Sequence, residues 1–346
     1  MTAVVRPALF ARLAPAKAMP DLPAGGDTAG DRPSLAIAIV LAAMLTFVVM
    51  DGLCKLLTTS GMVPETIIFV RYSLVLLFLL PVVVARWRSR PLATGRPVLH
   101  LARGVALIGS ATLFVYALQS LPLATATAIG FVSPLYVTAL SIPFLGEKVG
   151  IRRWAAVGVG FFGVLLILRP GGATFELAMV LPLVSSFLWA CGLIITRAMR
   201  GRERPLAILV WSTCGGLMVI TPLGLAAWQT PTAEQWLLLV LIAGCHLLGQ
   251  YLTIRAFTLA SASLLAPFSY TTMIWATLIG LFVFGNLPDL PTLAGSGILA
   301  AAGLYVWHRE RIVTGRPTVR RGAIAEVAAE PAPEPIPEPT PAARTP

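Results

Sequence analysis

The chain has 346 residues, of which 57% are hydrophobic and only 12% are charged, and its mean hydropathy is +0.84. Soluble domains are about 45–50% apolar and about 25% charged. A soluble fold could not bury this much apolar surface, so we expect an integral membrane protein. The net charge of +11 does not indicate a nucleic-acid partner, because the basic residues lie in short loops and in the two tails.

Ten apolar segments lie between the two tails, and each approaches the roughly 20 residues that a helix needs to cross a bilayer. The segments are long and lack alternation of period two, which favours helix over strand. The predicted fold class is therefore all-α, a polytopic membrane protein with ten transmembrane helices. The approximate spans are 35–57, 66–85, 97–118, 123–145, 151–169, 175–198, 205–227, 235–258, 262–285 and 291–308.

The tails have the composition of disordered segments. Residues 1–33 are rich in Ala, Pro, Gly and Asp, and residues 310–346 are first basic and then rich in Pro and Glu. Such segments lack the apolar residues that a packed core requires. We expect both tails to be disordered and cytoplasmic.

The distribution of Lys and Arg predicts the orientation, because basic residues are enriched in cytoplasmic loops. With the N-terminus inside, nearly every basic loop falls inside, and the outer loops keep only Arg169. An even number of spans then places both termini in the cytoplasm, and we expect the inner membrane of a bacterium. The basic residues placed inside are Arg86, Arg88, Arg90, Arg96, Lys148, Arg152, Arg153, Arg197, Arg200, Arg202, Arg204, Arg309, Arg311, Arg316, Arg320 and Arg321.

An internal repeat divides the apolar region. Ala117–Gly150 aligns without gaps with Ala256–Asp289 at an offset of 139 residues. Each half then holds five helices, and an odd number of helices turns the second copy upside down in the membrane. We therefore predict two inverted five-helix repeats, residues 34–170 and 171–309.

The repeated sequence also carries a family resemblance. The first copy, ALQSLPLATATAIGFVSPLYVTALSIPFLGEKVG, is followed by the glycine-rich GVGFFGVLLIL, and together they resemble the EamA-type branch of the drug/metabolite transporter superfamily. The second copy, RAFTLASASLLAPFSYTTMIWATLIGLFVFG, is similar to the second half of that family. The resemblance covers residues 35 to about 308 and is specific to the family, not to a substrate. One departure is that Gly146-Glu147 becomes Gly285-Asn286, so that acid is present in only one half.

Three charged residues fall inside the first two helices. Asp51 and Lys55 are four residues apart and share a face of the first helix, and Arg71 lies at a similar depth on the second. Charges inside a membrane are costly and usually pair within the protein. The cluster is either a site for substrate or protons or an ion-pair network that fixes helix packing. Asp51 is the only acid deep within a helix, so it is the single carboxylate candidate for proton coupling.

Polar and aromatic residues of the second half give further candidates. His246 and Gln250 lie one turn apart on the eighth helix and either line a substrate path or serve packing. Tyr270 and Trp275 lie deep in the ninth helix after Pro267 and are candidates for the wall of a cavity.

Helix-breaking residues occur in the fourth and ninth helices, which are repeat mates. Gly130 and Pro134 interrupt the fourth, and Pro267 interrupts the ninth. Broken helices at corresponding positions of two halves indicate a binding site near the membrane midplane, although a packing kink explains them as well.

Several patterns argue against catalysis. The G-x-G-x-x-G of residues 158–163 lies inside an apolar helix without a preceding strand, so close helix packing explains it better than a dinucleotide site. The four cysteines lack metal-ligand spacing, and the sequence contains no H-E-x-x-H, P-loop or nucleophile elbow. We therefore expect no enzyme, no metal and no cofactor, and no ATP-driven transport within this chain.

The resemblance implies a secondary transporter that moves a small polar or amphipathic metabolite, such as an amino acid, by alternating access, with export as the expected direction. Uptake of a vitamin or a nucleoside-like metabolite is the alternative. From another class, the chain could be a membrane sensor or assembly partner that acts through its Pro/Glu tail. The expected partners are a small-molecule substrate, the lipid bilayer and, if Asp51 couples transport, protons. A homodimer is left open.

Overall fold

The computed structural model describes residues 33–85, 92–145, 151–170, 176–199, 203, 205–260 and 262–314. Every regular element in these ranges is a helix. Apart from Pro33 and residues 310–314, the predicted tails lie outside the described residues, as do Glu147 and Lys148. The helix packing lies within one compact unit that ends at Trp307, and the described part of the second unit, residues 308–314, is helical.

The helices follow the predicted spans closely. They are α1 (Pro33–Thr59), α2 (Pro64–Ala85), α3 (Pro97–Ser120), α4 (Leu123–Gly130), α5 (Ser133–Leu145), α6 (Ile151–Leu168), α7 (Val180–Met199), α8 (Pro205–Ala226), α9 (Ala233–Leu259), α10 (Ala262–Leu265), α11 (Thr271–Phe284) and α12 (Leu290–Thr314), with short 3₁₀ turns at Leu177–Met179 and Ala266–Tyr270.

Eight helical stretches among the described residues are long and apolar enough to cross a membrane. One of them, Leu123–Phe144, combines α4 and α5, and another, Pro267–Phe284, combines the second 3₁₀ turn and α11. Two shorter apolar helices, Trp154–Leu168 and Leu290–Tyr305, complete ten helical segments. The predicted all-α, polytopic fold is confirmed.

The helix boundaries have recognisable local causes. Four helices begin with proline, namely α1, α2, α3 and α8, because the first helical position needs no N–H donor and suits the fixed φ of proline. Helix α9 begins with a capping box in which Thr232 and Gln235 satisfy each other's backbone N–H groups. Helix α11 ends at Gly285, whose φ of 68° is the left-handed conformation that glycine adopts readily.

The two halves interlock by exchanging helices. The first helix of each half packs along the third helix of the other half, since α1 lies on α9 and α7 lies on α3. In the same way α11 packs on α1, α5 packs on α7, and the repeat mates α2 and α8 pack on each other. Five helical segments per half, joined by short connections, place the second repeat in the inverted orientation.

Close packing accounts for the glycine-rich segment. A Cβ atom on Gly163 would lie 2.9 Å from the carbonyl oxygen of Gly295, and a Cβ on Gly295 would lie 2.6 Å from that of Gly163. Helices α6 and α12 therefore approach each other at this pair, as small residues allow. Gly158, at the start of the G-x-G-x-x-G pattern, has open space around it.

Candidate functional site

A group of polar side chains lies where α1, α2 and α9 meet. Arg71 of α2 is only 4% exposed, and its Cζ atom lies 4.8 Å from the ring centroid of Tyr72. The ring of Tyr72 lies 5.8 Å, centroid to centroid, from that of His246 on α9. Asp51 of α1 and His246 both interact electrostatically with Arg71. We call Asp51, Arg71, Tyr72 and His246 the central cluster.

Arg71 is incompletely paired within this cluster. Its Nε atom is buried and has no hydrogen-bond partner among the described residues. Among the residues that the structure describes, no carboxylate forms an ion pair with the Arg71 guanidinium. Asp51 thus acts on Arg71 through its field and not through a direct contact.

Lys55 is occupied elsewhere. Its Nζ atom donates hydrogen bonds to the carbonyl oxygens of Leu118, at 2.9 Å, and Leu121, at 2.6 Å. These carbonyls lie at the C-terminal end of α3, where helical carbonyls lack partners and the helix dipole favours a cation. The same Nζ lies 5.5 Å from the ring centroid of Phe284. Of the two partners predicted for Asp51, Lys55 is therefore engaged by a helix end, and Arg71 is the one whose charge acts on Asp51.

Gln250 follows His246 by one turn of α9 and is half-buried. The neighbouring Gly249 packs on Phe47 of α1, where a Cβ would lie 2.7 Å from the ring. Among the described residues, no hydrogen bond joins the Gln250 side chain to the central cluster. Its predicted place on a substrate path stays a prediction.

The two helix breaks meet each other. In the first half α4 ends at Gly130 and α5 begins at Ser133, with Pro134 in its first turn. In the second half the 3₁₀ turn Ala266–Tyr270 contains Pro267 and leads into α11. Pro134 is exposed and Pro267 is half-buried. The binding site expected at these helix breaks stays a prediction.

Aromatic side chains connect these breaks. The rings of Phe131 and Tyr270 pack edge to face with centroids 5.3 Å apart. The Tyr270 hydroxyl lies against Gly303 of α12, at a place where a Cβ atom would overlap it. Trp275 of α11 is half-buried, and its indole N–H is buried without a hydrogen-bond partner among the described residues.

The sequence matches a transporter family over most of its length. Residues 34–169 and 176–307 match the EamA-like transporter family. The chain belongs to this family. The predicted resemblance is confirmed, and the chain is a multi-pass membrane transporter of a small metabolite.

Known relatives of this EamA-like transporter carry different names. It is 30% identical to an S-adenosylmethionine uptake transporter of Rickettsia bellii, over 70% of this chain and 83% of the relative. It is 31% identical to a riboflavin transporter of Rhizobium johnstonii, over 80% and 91%. It is 28% identical to the pseudopaline exporter CntI of Pseudomonas aeruginosa, over 77% and 93%. A solved crystal structure shares the fold, with a TM-score of 0.52 and 17% identity over 81% of this chain and 99% of that one.

The EamA-like chain holds two site residues that the sequence reasoning missed. Tyr72 lies between Arg71 and His246 in the central cluster. Arg103 of α3 also acts electrostatically on Tyr72, while its Nε donates a 2.7 Å hydrogen bond to Thr196 of α7. Arg103 stands seven residues into an apolar span, so an arginine within a predicted membrane helix was a detectable signal.

A second polar network joins the two halves of the transporter at the ends where α3 and α8 begin. Glu203 accepts hydrogen bonds from the Thr94 hydroxyl and the Gly95 N–H, each at 3.1 Å. Its carboxylate also lies 3.5 Å from Nε2 of His100, whose side chain is 1% exposed. Glu203 precedes α8 in sequence and reads as an ordinary loop acid, so this network could not be predicted from its position.

At the opposite end of the bundle, polar contacts again hold helix ends together. The Tyr116 hydroxyl donates to Glu65 at the start of α2, and Arg169 forms an ion pair with Asp289 just before α12. Burial raises the pKa of the Asp289 carboxyl, but hydrogen bonds from Thr292 and Arg169 outweigh burial and hold that pKa below its usual range. Asp289 is therefore charged at neutral pH and caps α12.

Proposed function

We propose that this protein is a secondary transporter that moves an amino-acid-like metabolite through the central cluster by alternating access. The observation that carries the proposal is the placement of Asp51, Arg71 and His246 together between otherwise apolar helices. Ionisable residues inside a membrane mark substrate or ion pathways, because burying them without a function is costly. A cargo with both a positive and a negative group has partners of both signs in this cluster.

The arrangement of the repeats supports alternating access. The cluster combines α1 and α2 of the first half with α9 of the second, so relative movement of the interlocked halves changes the surroundings of the site. Inverted repeats provide two related conformations, one open to each side of the membrane. The energy would come from the gradient of the cargo or from protons, with Asp51 as the carboxylate that couples them.

The orientation and direction belong to the same proposal. Both termini face the cytoplasm of a bacterium, the chain lies in the inner membrane, and export is the direction expected from the family. The relatives named for S-adenosylmethionine uptake and for riboflavin favour a second candidate, uptake of a nucleoside- or vitamin-like metabolite. S-adenosylmethionine satisfies both chemical descriptions, since it joins an amino acid to a nucleoside.

The test is transport by the purified full-length protein in lipid vesicles. Labelled amino acids, S-adenosylmethionine and riboflavin are loaded on either side, with and without an imposed pH gradient. We expect movement of a zwitterionic amino-acid compound above the rate of empty vesicles, and the faster direction identifies export or uptake. Movement of riboflavin alone would contradict the amino-acid-like cargo, and movement of none of the compounds would contradict the function.

A truncation tests the alternative that the chain is a membrane sensor or assembly partner. A chain that ends at residue 316 lacks the Pro/Glu-rich segment. We expect the truncated protein to transport at the rate of the full chain. If the truncated protein folds but does not transport, this result would support the tail as the active part.

A further inference from the structure

Arg71 has binding capacity that the protein does not use. A guanidinium group carries five N–H donors in a planar fork and accepts no hydrogen bonds, and its best partners are carboxylates and phosphates bound at two points. Arg71 is 4% exposed, its face lies over the ring of Tyr72, and its Nε–H has no acceptor among the described residues. Leaving a buried charged donor unpaired is costly, so the unused edge indicates a partner supplied from outside.

The acid of the cluster does not use this edge of Arg71. The cluster contains one cation, Arg71, whose guanidinium lies over the ring of Tyr72. Its one carboxylate, Asp51, forms no direct ion pair with Arg71 among the described residues.

Other charged groups at the helix ends already have hydrogen-bond partners. Lys55 is bound to carbonyls at the end of α3, Glu65 accepts from Tyr116, and Glu203 is bound within the Thr94–His100 network. The free Nε edge of Arg71 is therefore the unmatched group, and an anion is the partner that fits a guanidinium.

We infer that Arg71 binds the carboxylate of the transported metabolite, with Tyr72 holding the guanidinium plane in place. The inference rests on the proposed transport function and adds to it a requirement that the cargo carry an anionic group. His246, whose ring lies 5.8 Å from that of Tyr72, extends the site along α9.

A carboxylate contact at Arg71 distinguishes between the cargoes for which two of the relatives are named. S-adenosylmethionine carries a carboxylate, whereas riboflavin is neutral. A site anchored on an arginine with an unpaired Nε–H favours the first kind of molecule, because a neutral cargo offers the guanidinium only uncharged acceptors, which bind it more weakly than a carboxylate.

The experiment compares two probes that differ only in the carboxylate. Vesicles containing the full-length protein take up S-adenosylmethionine or decarboxylated S-adenosylmethionine, each radiolabelled. Hydrogen bonds to charged groups correspond to a preference of about 10- to 100-fold, so we expect the carboxylate form to enter at least about tenfold faster. Arg71→Gln should reduce this ratio to near one by slowing only the carboxylate form.

A matched control uses an arginine outside the cluster. Arg169→Gln removes an arginine from the ion pair with Asp289, and we expect it to leave the ratio between the two probes unchanged. Gel filtration and thermal unfolding of each variant show whether it folds. If Arg71→Gln does not fold, Arg71→Lys takes its place, and its single ammonium should give a ratio between those of the wild type and one.

Three outcomes contradict the inference. The wild type could move both probes equally, Arg71→Gln could slow both in proportion, or Arg71→Lys could fold and keep the full preference. Each leaves transport standing while removing the role of Arg71. Failure of the wild type to move either probe or any compound of the wider panel would instead remove the transport function on which the inference rests.

Discussion

Phe131 and Tyr270 occupy the same position in the two repeats, and their rings pack against each other with centroids 5.3 Å apart. The sequence offset of 139 residues that relates Ala117–Gly150 to Ala256–Asp289 also relates these two residues. Equivalent residues of two inverted copies can touch only where the pseudo-twofold axis passes between them. The contact therefore lies on that axis, at the point where the helices of both repeats are broken.

Gly303 makes room for this contact, and we predict that Gly303→Ala disturbs it. The added Cβ would overlap the Tyr270 hydroxyl, so Tyr270 must move away from Phe131. Overpacking of this kind costs about 1–3 kcal/mol, and we expect a lower thermal unfolding temperature together with slower transport.

The control lies on the same helix. Gly297 has open space around it, so Gly297→Ala should leave stability equal or raised by up to about 1 kcal/mol through helix propensity. Adding Tyr270→Phe to Gly303→Ala removes the overlapping hydroxyl and should restore part of the loss. Equal stability of Gly303→Ala and Gly297→Ala would show that Tyr270 does not occupy this place.

Lys55 should prove to be a structural residue. Lys55→Met removes the two hydrogen bonds to the carbonyls of Leu118 and Leu121 and leaves these groups buried, so we expect a loss of about 1.5–3 kcal/mol in the free energy of unfolding. Thr59→Ala is the control, since the Thr59 hydroxyl bonds only to carbonyls of its own helix and should change stability by less than about 0.5 kcal/mol. Unfolding in detergent, followed by tryptophan fluorescence, measures both. A Lys55→Met variant as stable as the wild type would contradict the assignment.

The Asp51→Asn variant should show whether Asp51 couples transport to protons or only interacts electrostatically with Arg71. Asp51 has no direct ion pair among the described residues, so we expect the variant to fold. If Asp51 carries the coupled proton, transport by the variant no longer responds to an imposed pH gradient. Glu65→Gln, which alters a carboxyl bound to Tyr116 at the start of α2, should keep the response. An unchanged pH response in Asp51→Asn would rule out proton coupling through this residue.

His246 and Gln250 should differ in their effects. His246 contacts the Tyr72 ring of the central cluster, whereas Gln250 has no described hydrogen bond to it. We expect His246→Ala to reduce the rate of transport by about tenfold or more, because the variant loses a contact with an aromatic partner in the cluster. Gln250→Ala should reduce it less. Both variants should remain folded in the membrane, and full transport by His246→Ala would make His246 a packing residue.

Reporter proteins fused at loop residues that the structure describes test the predicted orientation of the chain in the membrane. Fusions at Gly61 and Thr230 should report an external position, and fusions at Gly95 and Glu203 an internal one, because basic residues cluster at the second pair of loops. An internal signal at Thr230 would contradict the inverted repeats as well as the orientation.

The spans and repeats were predictable because they depend on long averages of hydropathy and on a gap-free alignment. The ten helical segments begin within a few residues of the predicted spans, although two of them are broken internally and α12 continues to Thr314, beyond its predicted end at residue 308. The contacts of individual side chains were harder to predict from the sequence. Sequence spacing placed Asp51 and Lys55 on one face, but it could not reveal that α3 ends beside Lys55 and takes its hydrogen bonds. The role of Tyr72 beside Arg71 could not be predicted from spacing, because adjacent residues of a helix do not face each other.

The exchange of helices between the halves also has a consequence for biosynthesis. Helix α1 carries Asp51 and Lys55 into the bilayer, yet the helix on which it packs, α9, begins at Ala233. At about 5–20 residues per second, the ribosome needs on the order of ten seconds or more to make the intervening chain. For that time the first helix has no permanent neighbour from the second half, and its charges depend on α2, α3 and the insertion machinery. Slowing of translation between the two halves should therefore lengthen the period in which the newly made protein is open to degradation.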